Sequence, residues 1–353
     1  MLYSLILKSR HRAFDKGRRK SMHAVVPTIC VGNVTVGGTG KTPHTEMLLR
    51  MLEGKKGVAV LSRGYGRKSK GFLVVKPDGS TRDFGDEPLQ IARKFPDRIV
   101  AVDKDRIEGC NKLKEMGAKM VILDDAFQYR RLRADLNIVL VSYSRPVFED
   151  KLLPFGRLRD IPERIFKSDV IVVSKCAEDI SADEKRAFVE GLRLKDYDAE
   201  ECSALCPDGR KIKVLFSTIS YLAPKMVFPE GDPRYIYSQR IMYMSGISKD
   251  RRLHDQLLSQ YMILKGFEFS DHHDFSKGEL ARVEKELRKA KACALATTEK
   301  DAQRLTSLPY VSDYLKERLF MVPIEAHLTA PNEEKVLDSL LKGIFTARGR
   351  GNE

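Results

Sequence analysis

The chain has 353 residues, of which 42% are hydrophobic and 8% aromatic, and 63 lysines and arginines against 49 acidic residues give a net charge of +14. This much apolar material excludes an intrinsically disordered chain, and the length predicts two globular domains. All apolar stretches are far shorter than the ~20 residues of a membrane-spanning helix. The six cysteines lack paired metal-ligand spacing, which indicates reduced thiols in a cytoplasmic protein.

The excess positive charge lies at the amino end. Residues 1–70 hold 15 lysines and arginines and 3 acidic residues, whereas residues 71–353 are nearly balanced. Tyr3, Leu7 and Phe14 recur at helical spacing here, with cations on the other side. Residues 1–22 are therefore predicted to form a basic amphipathic helix, which either lies on an anionic membrane surface or packs on its own domain.

Short apolar runs alternate with helical segments along the next two hundred residues. Strands are predicted over 25–31, 58–61, 99–102, 120–123, 138–141 and 170–173, with helices over 45–52 and 106–116. Because the runs are β-branched and do not alternate with polar residues, they predict an α/β fold with a parallel sheet covered on both faces. Residues 23–220 are assigned to this larger domain.

A second alternation follows residue 245. Helices are predicted over 252–261 and 277–289, and strands over 292–296 and 319–322. Strands are also predicted over 213–219 and 235–244, with prolines marking a turn-rich crossing between them. These segments predict a smaller α/β domain, residues 221–353, joined to the first by a hinge.

A glycine-rich loop separates the first predicted strand from the first helix of the larger domain. It reads Gly37-Gly38-Thr39-Gly40-Lys41-Thr42. Small residues let backbone N–H groups surround phosphate oxygens, and the start of the helix adds positive potential. Lys41 is predicted to contact the outer phosphates of a nucleotide, and Thr42 to place its hydroxyl on Mg²⁺. The strict P-loop pattern also requires glycine at position 35, where this chain has Thr35.

The apolar strand over 120–123 is followed by two acidic residues, Asp124 and Asp125. A carboxylate at the end of such a strand reaches a magnesium ion on ATP, directly or through water. Asp124 and Asp125 are therefore candidate metal ligands with Thr42. Loop and strand together predict a P-loop NTPase-like domain that binds ATP and Mg²⁺.

Seven motifs occur in one order along the chain. They are VGNVTVGGTGKTP (31–43), LSRGYG (61–66), GDEP (85–88), LDDAFQ (123–128), LPFGRLR (153–159), FSDHH (269–273) and TTEKD (297–301). Together they closely resemble the tetraacyldisaccharide 4'-kinase family, the lipid A 4'-kinases of bacterial outer-membrane synthesis. The resemblance extends from about Tyr3 to His327.

The resemblance implies a reaction and a location. The family transfers the γ-phosphate of ATP to the 4'-hydroxyl of an acylated glucosamine disaccharide 1-phosphate, which makes ATP and Mg²⁺ the expected cofactors. It works as a peripheral protein at the cytoplasmic face of the bacterial inner membrane, with residues 1–22 as the expected contact. A monomer without a nucleic-acid partner is expected.

Catalytic roles also follow from the resemblance. Asp86 is expected to be the base that removes the proton of the sugar hydroxyl. Its expected partner is His272, although the sequence does not separate His272 from His273. Arg159 resembles the family arginine that faces the reacting phosphate, and Lys41 holds the donor phosphates.

Several charged neighbours of these motifs have a functional and a structural interpretation. Asp160 is a candidate metal contact, and Arg63 and Arg67 either bind the lipid phosphate or are solvated loop arginines. Lys300-Asp301 either has a functional role within the TTEKD motif or is a structural ion pair near the domain interface. Tyr129 stands where many relatives carry histidine, so no imidazole role transfers to it.

Two other classes of protein combine a nucleotide loop with a basic chain. A nucleic-acid-dependent ATPase is disfavoured, because no nucleic-acid-binding motif is evident and residues 71–353 are nearly neutral. A membrane-bound nucleotide switch is disfavoured by Asp86 and His272, since a switch needs no base for a sugar hydroxyl.

Overall fold

The computed structural model describes residues 2–246, 251–290 and 292–347. Its larger unit is an 11-stranded, mostly parallel sheet, and its smaller unit is a five-stranded sheet. The predicted α/β fold with a second, smaller α/β unit is therefore confirmed.

The strands fall into three groups along the chain. The first ten belong to the large sheet: Thr28–Asn33 (β1), Val58–Ser62 (β2), Leu73–Val74 (β3), Ile99–Val102 (β4), Met120–Asp124 (β5), Leu136–Ser142 (β6), Val170–Ser174 (β7), Lys195–Asp198 (β8), Ser203–Leu205 (β9) and Lys211–Tyr221 (β10). The next five form the small sheet: Lys225–Met226 (β11), Arg240–Ser245 (β12), Met262–Glu268 (β13), Cys293–Thr298 (β14) and Leu319–Val322 (β15). The last, Ile324–Leu328 (β16), returns to the large sheet.

Helices connect the strands of both sheets. They are Leu2–Asp15 (α1), Lys41–Met51 (α2), Thr81–Phe84 (α3), Asp86–Lys94 (α4), Arg106–Glu115 (α5), Ala182–Gly191 (α6), Arg251–Leu258 (α7), Lys277–Lys289 (α8), Glu299–Leu305 (α9), Asp313–Arg318 (α10) and Pro331–Ala347 (α11). Several begin at residues whose side chains accept backbone N–H bonds. Asp105 caps α5, and Ser181 and Ser276 form capping boxes at α6 and α8.

The centre of the large sheet is parallel and buried on both faces. Its strand order is β3-β4-β2-β5-β1-β6-β7-β10-β9-β8, and every pairing from β4 through to β10 is parallel. Every residue of β1, β2, β5 and β7 is buried. This double burial explains why these strands appear in the sequence as continuous apolar runs.

The carboxyl end of the chain belongs to the large unit, which corrects the predicted second domain of residues 221–353. Strand β16 pairs antiparallel with the second half of β10, from Ser217 opposite Leu328 to Tyr221 opposite Ile324. Helix α11 then buries Leu337 and Leu341 in the core beneath the large sheet. The two units are thus linked by two antiparallel strands.

One predicted strand in the small unit is shorter than expected. The sequence predicts a strand over residues 235–244, but Pro233–Tyr237 is a 3-10 helix, and β12 begins only at Arg240. Asp232 caps this helix by accepting a hydrogen bond from the Arg234 N–H, and the proline at its start fixes a helical φ. Local capping therefore outweighs the strand propensity of the tyrosines and isoleucine.

Helix α1 packs on the large unit through the apolar stripe predicted from the sequence. Leu7 is buried, and the Tyr3 hydroxyl donates to the Arg159 carbonyl at 2.9 Å. His11 contacts Asp160 at 2.6 Å between Nε2 and Oδ1. The opposite face leaves Leu5 and Ile6 exposed by 63% and 56%. Among the described residues, no helix is long and apolar enough to cross a membrane.

We expect Leu337→Ala to lower the free energy of unfolding by about 2–5 kcal/mol, because it opens a cavity where α11 meets the large sheet. Chemical denaturation of the purified chain measures this loss. Lys342→Ala on the exposed face of the same helix is the control and should stay within about 0.5 kcal/mol. Equal, small effects of both variants would show that α11 does not belong to this core.

Candidate active site

The glycine-rich loop joins β1 to α2 at the carboxyl edge of the large sheet. Gly37, Gly38 and Gly40 all have positive φ angles, which glycine adopts without strain. Thr35 has a different role, because it forms an isolated bridge with Leu158. The positive φ angles of the loop therefore fall at positions 37, 38 and 40, and Thr35 is not among them.

Two buried polar side chains hold this loop in place. Asn33 donates from Nδ2 to the Thr39 hydroxyl at 2.6 Å. His44 lies with Nδ1 2.7 Å from the Gly40 carbonyl and Nε2 2.7 Å from the Ser217 hydroxyl. Burial lowers the pKa of His44 to about 4, so the ring is neutral at pH 7, and Nδ1–H donates to Gly40. His44 thereby ties the loop to β10, the strand that leads into the small unit.

Lys41 and Arg159 converge on one carboxylate, that of Asp125. The Arg159 guanidinium donates to both carboxylate oxygens and, at 2.6 Å, to Oδ1 of Asn33. Lys41 Nζ lies 3.9 Å from Asp125 Oδ1. Burial alone would raise the pKa of Asp125, but these two cations outweigh it and hold the pKa below its usual value. The structure therefore brings Lys41 and Arg159, expected at the phosphates, together with Asp125, a candidate metal ligand.

Asp124 is in the opposite electrostatic situation. Its carboxylate is 1% exposed and accepts a hydrogen bond from Thr45 at 3.3 Å. Burial, together with the charges of Glu87 and Asp125, raises the pKa of Asp124 to about 7, and Lys41 only partly offsets this. This crowding of carboxylates would be relieved by a divalent cation.

Oxygen donors that could hold Mg²⁺ lie at the end of β5 and the start of α2. Among the described residues, no group of three or more His, Cys, Asp or Glu side chains could form a metal cage. Mg²⁺ commonly binds through one or two carboxylates while phosphate oxygens and waters complete its shell. Thr42, Asp124 and Asp125 supply a donor set of this kind.

A second charged cluster joins the two units at Asp86. This carboxylate is 4% exposed at the start of α4. Arg304 of α9 donates to its Oδ2, and Lys300 Nζ lies 3.8 Å from the same oxygen. His272 places Nδ1 3.2 Å from it. Burial opposes ionisation, yet the His272 hydrogen bond and the two cations prevail and hold the pKa of Asp86 well below its usual range.

His272, and not His273, is the histidine that meets Asp86. The His272 ring places Nδ1 3.2 Å from Asp86 Oδ2 and 3.0 Å from the Arg304 guanidinium, and Nε2 3.1 Å from Lys300 Nζ. His273 instead places Nε2 3.0 Å from Glu279 and stacks on Phe269. The structure thus distinguishes two adjacent residues that the sequence left open.

A cleft of about 360 Å³ lies between the two units. The large unit lines it with the glycine loop, Lys41, Thr42 and Arg159, and the small unit with Asp271, His272 and Lys300. The linker strands β10 and β16 contribute Ile219, Tyr221 and Ile324. This volume and its few convergent polar groups are typical of small-molecule sites.

Three non-glycine residues of this cleft adopt left-handed backbone conformations. They are Asp125, Lys175 and His272, with φ angles of 53°, 65° and 59°. Such conformations are held by their surroundings and concentrate at functional sites. Four other described non-glycine residues also have positive φ angles outside the cleft, so three of these seven positions line it.

Three residues singled out in the sequence, Asp160, Lys300 and Asp301, are placed away from their expected partners. Asp160 faces α1 and contacts His11, so it does not contribute to a metal site. Lys300 and Asp301 do not pair with each other: Lys300 contacts Asp86, whereas Asp301 accepts from Arg304 and the Gly246 N–H. Tyr129 donates to Asp105.

Sequence reasoning missed Arg304, His44 and Glu87. Arg304 follows Lys300 by four residues and so lies on the same face of α9, which is a recognisable helical signal. Glu87 directly follows Asp86 within a quoted motif. His44 gave no usable signal, because its partner Ser217 is 173 residues away.

The chain is similar to known proteins over nearly its whole length. The family model for tetraacyldisaccharide-1-P 4'-kinase matches residues 1–342. The tetraacyldisaccharide 4'-kinases of Phocaeicola vulgatus and Flavobacterium johnsoniae are 37% and 36% identical to the chain, covering 92% of it in both cases and 88% and 90% of their own lengths. The chain belongs to the tetraacyldisaccharide 4'-kinase family.

A solved structure extends the similarity to three dimensions. LpxK from Aquifex aeolicus, crystallised in complex with ATP, superposes with a TM-score of 0.71 at 28% identity over 98% of this chain and 96% of that one. A tetraacyldisaccharide 4'-kinase is an ATP-dependent enzyme of lipid A biosynthesis, and family membership identifies that reaction here in preference to a nucleic-acid ATPase or a nucleotide switch.

We expect Asp124→Asn to stabilise the ligand-free protein at pH 8 by on the order of 2 kcal/mol. Because the pKa of about 7 lies above the usual 3.8, Asp124 supports folding when protonated and loses that contribution as pH rises through 7. The advantage of the variant should therefore vanish near pH 4. Chemical denaturation across this pH range, without nucleotide or metal, measures it.

Asp97→Asn is the matched control, since that carboxylate is 70% exposed. Its pH dependence should follow the wild type. Parallel curves for wild type and Asp124→Asn would contradict the raised pKa of Asp124.

Proposed function

We propose that ATP and a tetraacyldisaccharide 1-phosphate react in the cleft between the two units, with Lys41, Arg159 and the Asp86–His272 pair as the groups that act on them. One observation carries this proposal. His272 of the small unit meets Asp86 of the large unit and also lines the cavity that holds the glycine loop.

The donor side of the cleft is built for phosphate. Backbone N–H groups of Gly37, Gly38, Thr39 and Gly40, at the start of α2, would cradle the phosphates. Lys41 and Arg159, which contact Asp125 in the protein alone, would turn to the γ-phosphate. Phosphoryl transfer is accelerated mainly by cations placed where charge develops.

Mg²⁺ would be held by Thr42 together with Asp124 and Asp125. When bound, it would neutralise charge on the transferring phosphoryl group and the leaving ADP. Metal binding would also favour the ionised form of Asp124, whose pKa is about 7 in the protein alone.

The acceptor side must remove a proton from the 4'-hydroxyl. As its oxygen bonds to the γ-phosphorus, the bond from that phosphorus to the β–γ bridging oxygen breaks and ADP leaves. We assign the proton to the Asp86–His272 pair as a unit, because the carboxylate is ionised and the imidazole lies at the cavity wall. Lys300 and Arg304 hold the pair in position.

The two linker strands are the proposed hinge. Strands β10 and β16 carry the chain out to the small unit and back, so bending beyond Tyr221 and Ile324 would open and close the cleft. The Asp86 cluster forms only when the cleft is closed, because His272, Lys300 and Arg304 all come from the small unit.

The outer face of α1 is the proposed contact with the cytoplasmic face of the inner membrane. Leu5 and Ile6 are exposed there beside the exposed cations Lys8 and Arg12. Apolar side chains flanked by cations bind anionic lipid surfaces. The lipid-facing residues thus differ from the stripe of Tyr3, Leu7 and Phe14, which packs on the protein.

The direct test is incubation of purified protein with Mg-ATP and the acylated disaccharide 1-phosphate in detergent. We expect a bisphosphorylated product from wild type and a loss of about 10²–10⁴-fold in kcat for Asp86→Asn. Absence of product from wild type would defeat the proposed reaction. Undiminished activity of Asp86→Asn would defeat only its assignment.

His272→Asn and His273→Asn form a matched pair. His272→Asn should lose about 10²-fold or more in kcat, because it removes the imidazole that contacts Asp86. His273→Asn should stay within a few-fold of wild type, since His273 contacts Glu279. Equal losses would place the catalytic imidazole elsewhere.

A further inference from the structure

Phe155 is a large apolar residue that the fold leaves exposed to solvent. It lies in the segment 150–158, between β6 and β7, and is 83% exposed. Among the described large hydrophobic residues, only Tyr237 exceeds this value, at 85%, and its hydroxyl can remain in water. Phenylalanine has no polar atom that water would satisfy. A single exposed ring is common on protein surfaces, so its surroundings decide its meaning.

The segment that presents Phe155 is firmly built. The Phe155 N–H donates to the Leu152 carbonyl at 3.1 Å, and Leu153 and Leu158 are joined at 2.9 Å between N and O. Asp150 accepts from the N–H groups of Lys151 and Arg157 at 2.7 and 3.2 Å, which closes the base. The ring is therefore held outward by an ordered loop, and no flexible terminus is involved.

The same loop is attached both to the nucleotide site and to α1. The Val36 N–H, next to Gly37, donates to the Arg157 carbonyl at 2.8 Å. Two residues further on, the Arg159 carbonyl accepts from Tyr3 of α1 at 2.9 Å. The Phe155 loop and α1 are thus fixed relative to each other and to the glycine loop.

Cations flank the exposed ring as they flank the exposed face of α1. Lys151 and Arg157 lie at the two sides of the loop and are exposed. Val36, which is bonded to the loop, also leaves 37% of its surface exposed. An apolar tip between two cations suits an anionic bilayer, because the ring can enter the acyl layer while the cations contact the headgroups.

We propose that the loop 150–158 is a second membrane contact, which inserts Phe155 into the surface of an anionic phospholipid bilayer while α1 lies on the same surface. This inference rests on the proposed membrane contact of α1 and deepens it. Two contacts fixed to the Arg159 segment would give the glycine loop one fixed orientation relative to the membrane. A single helix would leave that orientation free.

The chain contains no tryptophan, so the fluorescence of a single introduced tryptophan reports on its own position alone. We would prepare Phe155→Trp, Leu5→Trp and Tyr237→Trp, and mix each full-length protein with vesicles of phosphatidylethanolamine and phosphatidylglycerol without acceptor lipid. Phe155→Trp and Leu5→Trp should shift their emission to the blue and be quenched by brominated acyl chains. Tyr237→Trp, on the small unit, should do neither.

Vesicle sedimentation gives an independent measurement. Phe155→Ser should weaken binding to these vesicles about tenfold, and Tyr237→Ser should leave it unchanged. Both sites are exposed, and an unchanged unfolding transition with the same shift on adding ATP verifies that each variant is folded. Vesicles of phosphatidylcholine should bind all variants weakly, because the cations then lack anionic partners.

Three results would overturn the inference, and they are distinguishable. If Leu5→Trp responds and Phe155→Trp does not, α1 alone contacts the membrane and the proposed function stands. If neither responds, the membrane contact in the proposed function fails together with the loop. If Phe155→Trp responds only after acylated acceptor is added, the loop binds substrate chains and not the bilayer surface.

Discussion

The buried ion cluster at Asp86 is the interaction on which the active cleft depends. A carboxylate of the large unit is surrounded by Arg304, Lys300 and His272 of the small unit. Removing one partner of a buried pair costs about 3–5 kcal/mol, because the other charge is left uncompensated. The charge of the buried Asp86 carboxylate is therefore compensated only when the two units are in contact. The same contact places the His272 imidazole opposite the glycine loop.

A second network supports the same arrangement behind the cluster. Lys94 of α4 contacts Glu46 of α2 at 2.7 Å and Glu299 of α9 at 2.9 Å. Since α2 begins with Lys41 and α9 carries Lys300, this bridge connects the helix of the nucleotide loop to the helix of the Asp86 cluster.

The two carboxylates on the donor side differ in charge balance. Two cations, Lys41 and Arg159, compensate the charge of Asp125, whereas the charge of Asp124 is not fully compensated. That imbalance suits a site completed by Mg²⁺ and ATP.

Much of this architecture could be predicted from the sequence, because buried parallel strands and a glycine loop leave local patterns. Strands β1, β2, β4, β5, β6 and β7 and the phosphate loop are of this kind, whereas the short antiparallel strand β3 was not predicted. The return of β16 and α11 to the large sheet could not be predicted, since their apolar patterns fit either sheet equally well. Distant pairings such as His44 with Ser217 are set by the fold alone. The sequence could not separate His272 from His273. The left-handed backbone at His272 directs the two adjacent side chains to different neighbours, and this conformation is visible only in the structure.

The measurement that tests the central claim most directly is a double-mutant cycle between Asp86→Asn and His272→Asn, read as the single-turnover rate of phosphoryl transfer with saturating Mg-ATP and acceptor. If the two residues act as one unit across the cleft, the double variant should be about as slow as the slower single variant. If the two losses multiply, Asp86 and His272 act independently, and the account of the cluster as a shared proton acceptor is contradicted.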